Sequence, residues 1–435
     1  MTTQRTTELT VRMYNVGFGD CFLLTFKTHK RPYTMLIDCG RLSGSSNEGP
    51  DFWTVVQQLI DDLPKVDGHP YADIVVMTHR HRDHVHGFSR HDLWADVTAG
   101  EVWMPWTENP DDPTANGLRK QQDVAAKNAL GALKAFGVRS GGAYELALNS
   151  ISNAAAMDTL RGLAKTPIQY LPEKSASTAT VRDHSNTSAP DVLPAGVTVR
   201  ILGPSHDPKV IGRLNPPKGQ AYLRLAVGDG DPESADAASV PAPWGGQWDR
   251  PSAELAQAFA TNLDIEQAKF DKLLSDVRFG AQSDAENLAF DVDNALNGTS
   301  LVLLIEVGQH SLLFPGDAQW GTWNVILNTP EWQKSLKRIN FLKVGHHGSH
   351  NATPTSFVEG GYLHDATAMV SVAKTSNTAA GWKAIPKTEL LTALTSSGVT
   401  RLVRSDKPIP GGGRGISRSA GEVYTEATFA IGHPR

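Results

Sequence analysis

Apolar positions along the chain switch between a period of two and a period near 3.6, and the switches mark out the elements. From Leu9 to Phe26 the segments LTVRMYNV and CFLLTF read as two strands, joined across Gly17 to Asp20, where glycines suit a tight connection. YTMLIDCG follows as a third strand. Over 51–63, Phe52, Val55, Val56, Leu59, Ile60 and Leu63 recur at helical intervals, and ADIVVMT after them is a short β-branched run suited to a buried strand. That strand leads directly into HRHRDHVHG. GEVWMPW at 100–106 and TVRILGP at 198–204 read as further strands, with helical spacing over 117–136 and 144–164. Farther on, TSLVLLIEVGQHSLLFPGD gives two strands about a glycine-containing turn, and INFLKVGHHGSH gives a strand ending in histidines.

Strand, helix and strand in succession, with ionisable residues just past the last strand, predict an α/β fold whose ligands gather at strand carboxyl ends. Between 206 and 296 the periodicity weakens. The Gly-, Ala-, Pro- and Ser-rich stretch 228–248 predicts a loop, and SAELAQAFATNLDIEQAKFDKLLSDV at 252–277 predicts a helix. The chain therefore divides into 1–205, an insertion at 206–296 and a second half at 297–435. Long insertions in compact domains are usually functional or disordered, and this one is expected to form a lid over the site.

The segment from Thr78 to His84 places His79, His81, Asp83 and His84 within six positions at the end of an apolar strand. Neutral imidazole and carboxylate are the ordinary ligands of zinc and similar divalent ions, and a sharp turn can aim several of them together. His86, two residues on, is expected to be a solvent-exposed turn residue, with contact to metal or substrate as the alternative. His346 and His347 are adjacent, and neighbours on an extended or turning chain point in different directions, so one of the two is the easier ligand. His346 is taken as the ligand and His347 as a hydrogen-bond or proton donor to substrate, with Gly348 and Ser349 as donors to an anionic oxygen.

The His-x-His-x-Asp-His segment resembles the second motif of the metallo-β-lactamase superfamily, with Asp38 of LIDCG resembling its first. Asp317 of LLFPGDA resembles the carboxylate that bridges two metals, and His346 resembles the late histidine ligand. YNVGFGDCFLL, NGTSLVLLIEVGQHSLLFPGD, LKVGHHGSH and IPKTELLTALTSSGVTRLVRSD are similar to the ComEC-type branch, whose membrane channel is lacking here. The resemblance covers 8–90 and 297–408. It implies an αββα sandwich of the metallo-β-lactamase type carrying a large insertion. It further implies that His79 and His81 hold one ion, that Asp83, His84 and His346 hold another, and that Asp317 bridges them, with Asp38 orienting a ligand histidine. Asn297, three residues before Ser300, stands where that branch commonly has asparagine, and is expected to complete the first metal site; His206 of GPSHDP is the rival. One or two divalent ions, zinc or manganese, are the cofactor so implied.

Composition narrows the field less. A 40% hydrophobic, 20% charged chain of net charge −5 carries no global footprint for nucleic acid. No apolar run approaches the ~20 residues that cross a bilayer, and the first residues lack the order of a signal peptide, so a cytoplasmic, non-membrane protein is expected. Cys21 and Cys39 are too few for a disulfide framework or a four-cysteine site and are expected to be buried thiols. Arg80, Arg82, Lys343, Arg401, Arg404, Lys407, Arg414 and Arg418 supply local positive charge suited to phosphate. The expectation is a hydrolase using a metal-activated water, with Asp83 and His347 in catalytic roles, acting on a phosphodiester of a nucleic acid or nucleotide. Hydrolysis of a small ester, lactone or amide is the alternative enzyme, and a non-catalytic metal-binding scaffold the alternative outside enzymes.

Overall fold

The structure is a computed structural model that describes residues 5–42, 49–151, 153–174, 180–189, 191–214, 216–217, 219–221, 267–373, 385–409 and 415–432, with side chains of the last helix before 298 described from 282 onward. The loop expected at 228–248 and the 252–266 part of the expected helix lie outside these residues.

The first strands in the chain build one sheet: β1 (Glu8–Tyr14), β2 (Cys21–Lys27), β3 (Pro32–Cys39), β4 (Lys65–Val66), β5 (His69–Val76), β6 (Thr98–Pro105) and β7 (Gln169–Leu171). The next build a second: β8 (Thr180–Asp183), β9 (Val197–Gly203), β10 (Val302–Val307), β11 (His310–Phe314), β12 (Ile339–Lys343), β13 (Leu363–Val370) and β14 (Val399–Arg404). The chain then returns to the first sheet with β15 (Ile416–Arg418) and β16 (Tyr424–Ala430), the latter pairing antiparallel with β1. The orders are β15-β16-β1-β2-β3-β5-β6-β7, with β4 beside β5, and β14-β13-β12-β11-β10-β9-β8. Both sheets are mixed: β3, β5, β6 and β7 run parallel, as do β11 to β14, and the remaining pairs are antiparallel. The fold is therefore α/β, built on two mixed sheets and helices.

Period-two alternation explains why so many strands read as unbroken apolar runs. In β2, Phe22, Leu24 and Phe26 join a core shared with Leu303, Ile305, Phe314 and Phe341 of the second sheet. Their neighbours Cys21 and Leu23 face the other way, into a cluster with Val55, Val56 and Leu59 of the helix Phe52–Asp61. The second sheet repeats the device, with Val302, Leu304 and Leu313 packed against Trp323 and Leu390 from two further helices. A strand covered on both faces has no polar side to show.

Three helices form a separate group. Pro113–Ala135 starts where Asp112 accepts from the amides of Thr114 and Ala115, with proline in its first turn. Gly142–Ser150 and the long Gln267–Asn297 pack on it through small residues, Ala129, Ala143, Ala147, Ala285 and Ala289. The single helix expected over 144–164 is two, broken between Ser150 and Ala154, and the helix expected to end at 277 runs on to Asn297, across the boundary placed at 296. No helix among the described residues is long and apolar enough to cross a membrane.

β3, β5, β11, β12 and β13 all end on the same side, and the first two are locked to each other there by backbone contact. Asp20 donates its amide to the Asp83 carbonyl at 2.9 Å and accepts from the Gly40 amide at 2.9 Å. A Cβ on Gly40 would stand 2.2 Å from the Asp83 carbonyl carbon and 2.3 Å from the His84 nitrogen. Backbone cannot yield as a flexible side chain does, so Gly40→Ala is expected to destabilise the chain by about 1–3 kcal/mol. A urea midpoint equal to that of the parent would contradict this close packing.

Candidate metal centre

Each site residue is delivered by a strand end. Asp38, next to last in β3, lies in the left-handed region, φ 57°, and from there its Oδ1 accepts the Thr78 amide at 2.7 Å and its Oδ2 the Thr78 hydroxyl at 2.6 Å. This fixes the chain as it leaves β5. The Thr78 carbonyl in turn accepts the Leu301 amide at 2.9 Å, tying the motif to the start of β10. His79, His81, Asp83 and His84 follow and are all buried, the last two on a single helical turn, Arg82–Val85.

Asp83, His84, Asp317 and His347 each offer a ligand atom, and those four atoms lie within 4.8 Å of one another. His84 Nε2 is 3.2 Å from Asp317 Oδ2, and His347 Nε2 is 3.1 Å from Asp83 Oδ2. His79 Nε2 and His81 Nδ1 meet at 2.9 Å beside them, and the His79 and His84 rings are 4.1 Å apart. Asp83 Oδ1 is buried with no hydrogen-bond partner. Buried polar atoms are almost always satisfied, so an orphaned carboxylate oxygen among imidazoles has the chemistry of a cation ligand. The residues present fit a divalent ion, whose identity and number they leave open.

Charge balance points the same way. Burial would raise the Asp83 carboxyl, but His84 and His347 outweigh it and hold it far below the usual carboxylate range. At Asp317 burial is likewise overcome, here by Lys343 and His84. Burial would lower His84, yet Asp317, Asp83 and Asp38 together push it well above the ordinary imidazole value. At His79 and His81 burial outweighs the nearby Asp83 and Asp317 and drives His79 well down and His81 to about 4, so both rings stay neutral, as ligands must. Lys343, also buried, pairs with Asp20 and with Asp317 Oδ1 at 3.0 Å, and its pKa is raised despite burial.

The late histidine that joins the cluster is His347, where His346 was expected. Both adopt left-handed backbone, φ 44° and 52°, which turns His347 inward and leaves the His346 amide donating to Asp317 Oδ1 at 3.0 Å. His347 donates from Nδ1 to the Ser371 carbonyl at 2.8 Å, which aims Nε2 at Asp83; this suits a fixed ligand better than a mobile proton donor. His346 is not in the four-residue group. Asn297 is fully buried, donating from Nδ2 to Asp293 Oδ2 at 3.1 Å, with its Oδ1 unpartnered. His206 stacks on Trp106 at 4.5 Å and meets the Pro172 carbonyl at 2.9 Å, away from the cluster. His86 stacks on Phe52 at 5.5 Å and contacts Arg82 at 2.9 Å, so it is a packed, partly buried turn residue where a solvent-exposed one was expected.

Several cations expected to face substrate are spent internally. Arg80 is buried and paired with Asp123 at 3.1 Å, Lys343 as above, and Arg404 with Asp406 at 2.7 Å. Arg414 lies outside the described residues. Residues that the sequence reading did not single out also reach the site: Asn149 accepts the Asp83 amide at 3.2 Å, Ser150 Oγ lies 3.3 Å from His81 Nε2, and Asp293 Oδ1 lies 3.5 Å from it. The chain matches no family model and no curated protein.

Because carboxylates raise His84 well above the ordinary imidazole value, its ring is protonated at neutral pH and must lose a proton to bind an ion. Zinc binding is therefore expected to release at least about one proton per ion at pH 7 and to tighten from pH 6 to pH 8. Calorimetry in buffers of different ionisation enthalpy measures both, and pH-independent affinity without proton release would contradict this charge balance.

Proposed function

We propose that the chain is a metal-dependent hydrolase of the metallo-β-lactamase type. The observation that carries this reading is the convergence of Asp83, His84, Asp317 and His347 from the ends of β5, β11 and β12, with His79 and His81 alongside. The pairing of two mixed sheets around a shared core, with helices against their other faces, supports the αββα arrangement that the sequence motifs imply.

A divalent ion held by these residues supplies Lewis acidity and renders a water nucleophilic near neutral pH. The chain's own groups set the geometry. Asp83, held ionised by His84 and His347, keeps Oδ1 without a protein partner and would offer that oxygen to the ion. Asp317 is fixed by Lys343 and the His346 amide at Oδ1, which leaves Oδ2 toward His84. Asp38 clamps the outer nitrogen of His84 at 2.8 Å, as an orienting carboxylate does.

A phosphodiester remains the substrate class favoured by the sequence resemblance. A carbonyl substrate, an ester, lactone or amide, is the second reading, and the internal pairing of Arg80, Lys343 and Arg404 favours it by removing cations from substrate reach.

Metal analysis of protein purified without added metal, followed by hydrolysis of bis-p-nitrophenyl phosphate and of carboxylic esters with zinc or manganese restored, tests the reading. Asp83→Asn and His84→Ala are expected to lower turnover of the accepted substrate by about 10²-fold or more with an unchanged circular dichroism spectrum. Turnover unchanged in both would sink the mechanism. Asp317→Ala is expected to lower the bound metal, since it removes a buried carboxylate that offsets cation charge; undiminished content would exclude Asp317 as a ligand.

A further inference from the structure

Each histidine of the cluster has one ring nitrogen turned toward the other site residues and its second nitrogen held from behind. For His84 the holder is Asp38 at Nδ1, for His347 the Ser371 carbonyl at Nδ1, and for His79 the Thr78 hydroxyl at Nδ1, 3.2 Å away. His81 is reversed. Its Nδ1 meets His79 Nε2, so its outward nitrogen is Nε2, and no strand end stands behind it.

What stands there is the last stretch of the helix Gln267–Asn297. Asp293, buried at 3% exposure, has Oδ1 3.5 Å from His81 Nε2, a charge contact rather than an aligned hydrogen bond, and its Oδ2 takes the Asn297 amide at 3.1 Å, one helical turn on. Ser150 Oγ approaches the same nitrogen at 3.3 Å from the neighbouring helix. A carboxylate behind a ligand imidazole fixes its tautomer and ring plane and raises its basicity. We propose that Asp293 is a positioning residue that holds the His81 proton on Nε2, so that Nδ1 is free to bind the ion together with His79 Nε2. The inference rests on the metal-centre reading and extends it to a residue that is not itself a ligand.

It follows that the helix leading out of 206–296 is anchored to the centre through His81. The helix packs through Ala285, Ala289, Val292 and Leu296 on the neighbouring helices, so removing the Asp293 carboxylate leaves its apolar seat in place.

Zinc titration of the full-length protein separates the possibilities. Asp293→Ala is expected to weaken zinc binding by about 10–100-fold, the usual effect of losing such a partner, while the metal-free protein unfolds at nearly the parent temperature. Asp293→Asn keeps an oxygen able to accept from Nε2 and is expected to restore most of that affinity. Parent-like zinc affinity in Asp293→Ala would overturn the proposal, as would a loss of affinity matched by an equal loss of metal-free stability and not rescued by asparagine. A parent chain that binds no zinc or manganese would overturn the metal centre itself, and this proposal with it.

Discussion

Burying like charges together is the constraint on which the rest of this structure turns. Asp20, Asp38, Asp83 and Asp317 are each at most 2% exposed and crowd into one dry region at the strand ends. Carboxylates so placed repel strongly unless positive charge is brought among them. Lys343 meets part of that need from β12, and an imidazolium at His84 meets part of the rest. One Asp83 oxygen is nevertheless left without a hydrogen-bond partner among the protein groups. A divalent cation is the completion we propose, and the surrounding scaffold holds the residues that could ligate it.

That organisation spans both sheets. Asp38, the His79–His84 turn and Asp20 come from the first, and Asp317, Lys343 and His347 from the second, so the shared apolar core between Phe22, Ile37, Phe314 and Phe341 sets the spacing across the centre. Backbone contacts with no room for a side chain, such as Gly40 against Asp83, fix the remaining freedom. Precision at the site thus depends on packing some distance from it.

Much of this was legible in the sequence because strong local patterns carried it. The apolar runs of β2, β3, β5, β10 and β11 and the helix after Asp51 were readable from periodicity, and Asp83 and His84 from their places after a strand, whereas Asp317 was reached only through the family resemblance. The late histidine was not. Which of His346 and His347 turns inward depends on two consecutive left-handed residues, and only Gly348 hints at so tight a turn. Asp293 escaped for another reason: its relation to Asn297 is an i, i+4 spacing that means something only once 267–297 is known to be one helix. The cations failed as guides to substrate because sequence shows a charge but not its partner, and Arg80, Lys343 and Arg404 find theirs inside the fold.

The most direct test of a metal centre at this place is anomalous diffraction from crystals grown with zinc. The account predicts a strong anomalous peak within about 2.3 Å of ligand atoms from Asp83, His84, Asp317 and His347, with any second peak beside His79 and His81. A peak confined to other residues, or none at zinc concentrations that saturate comparable sites, would contradict it.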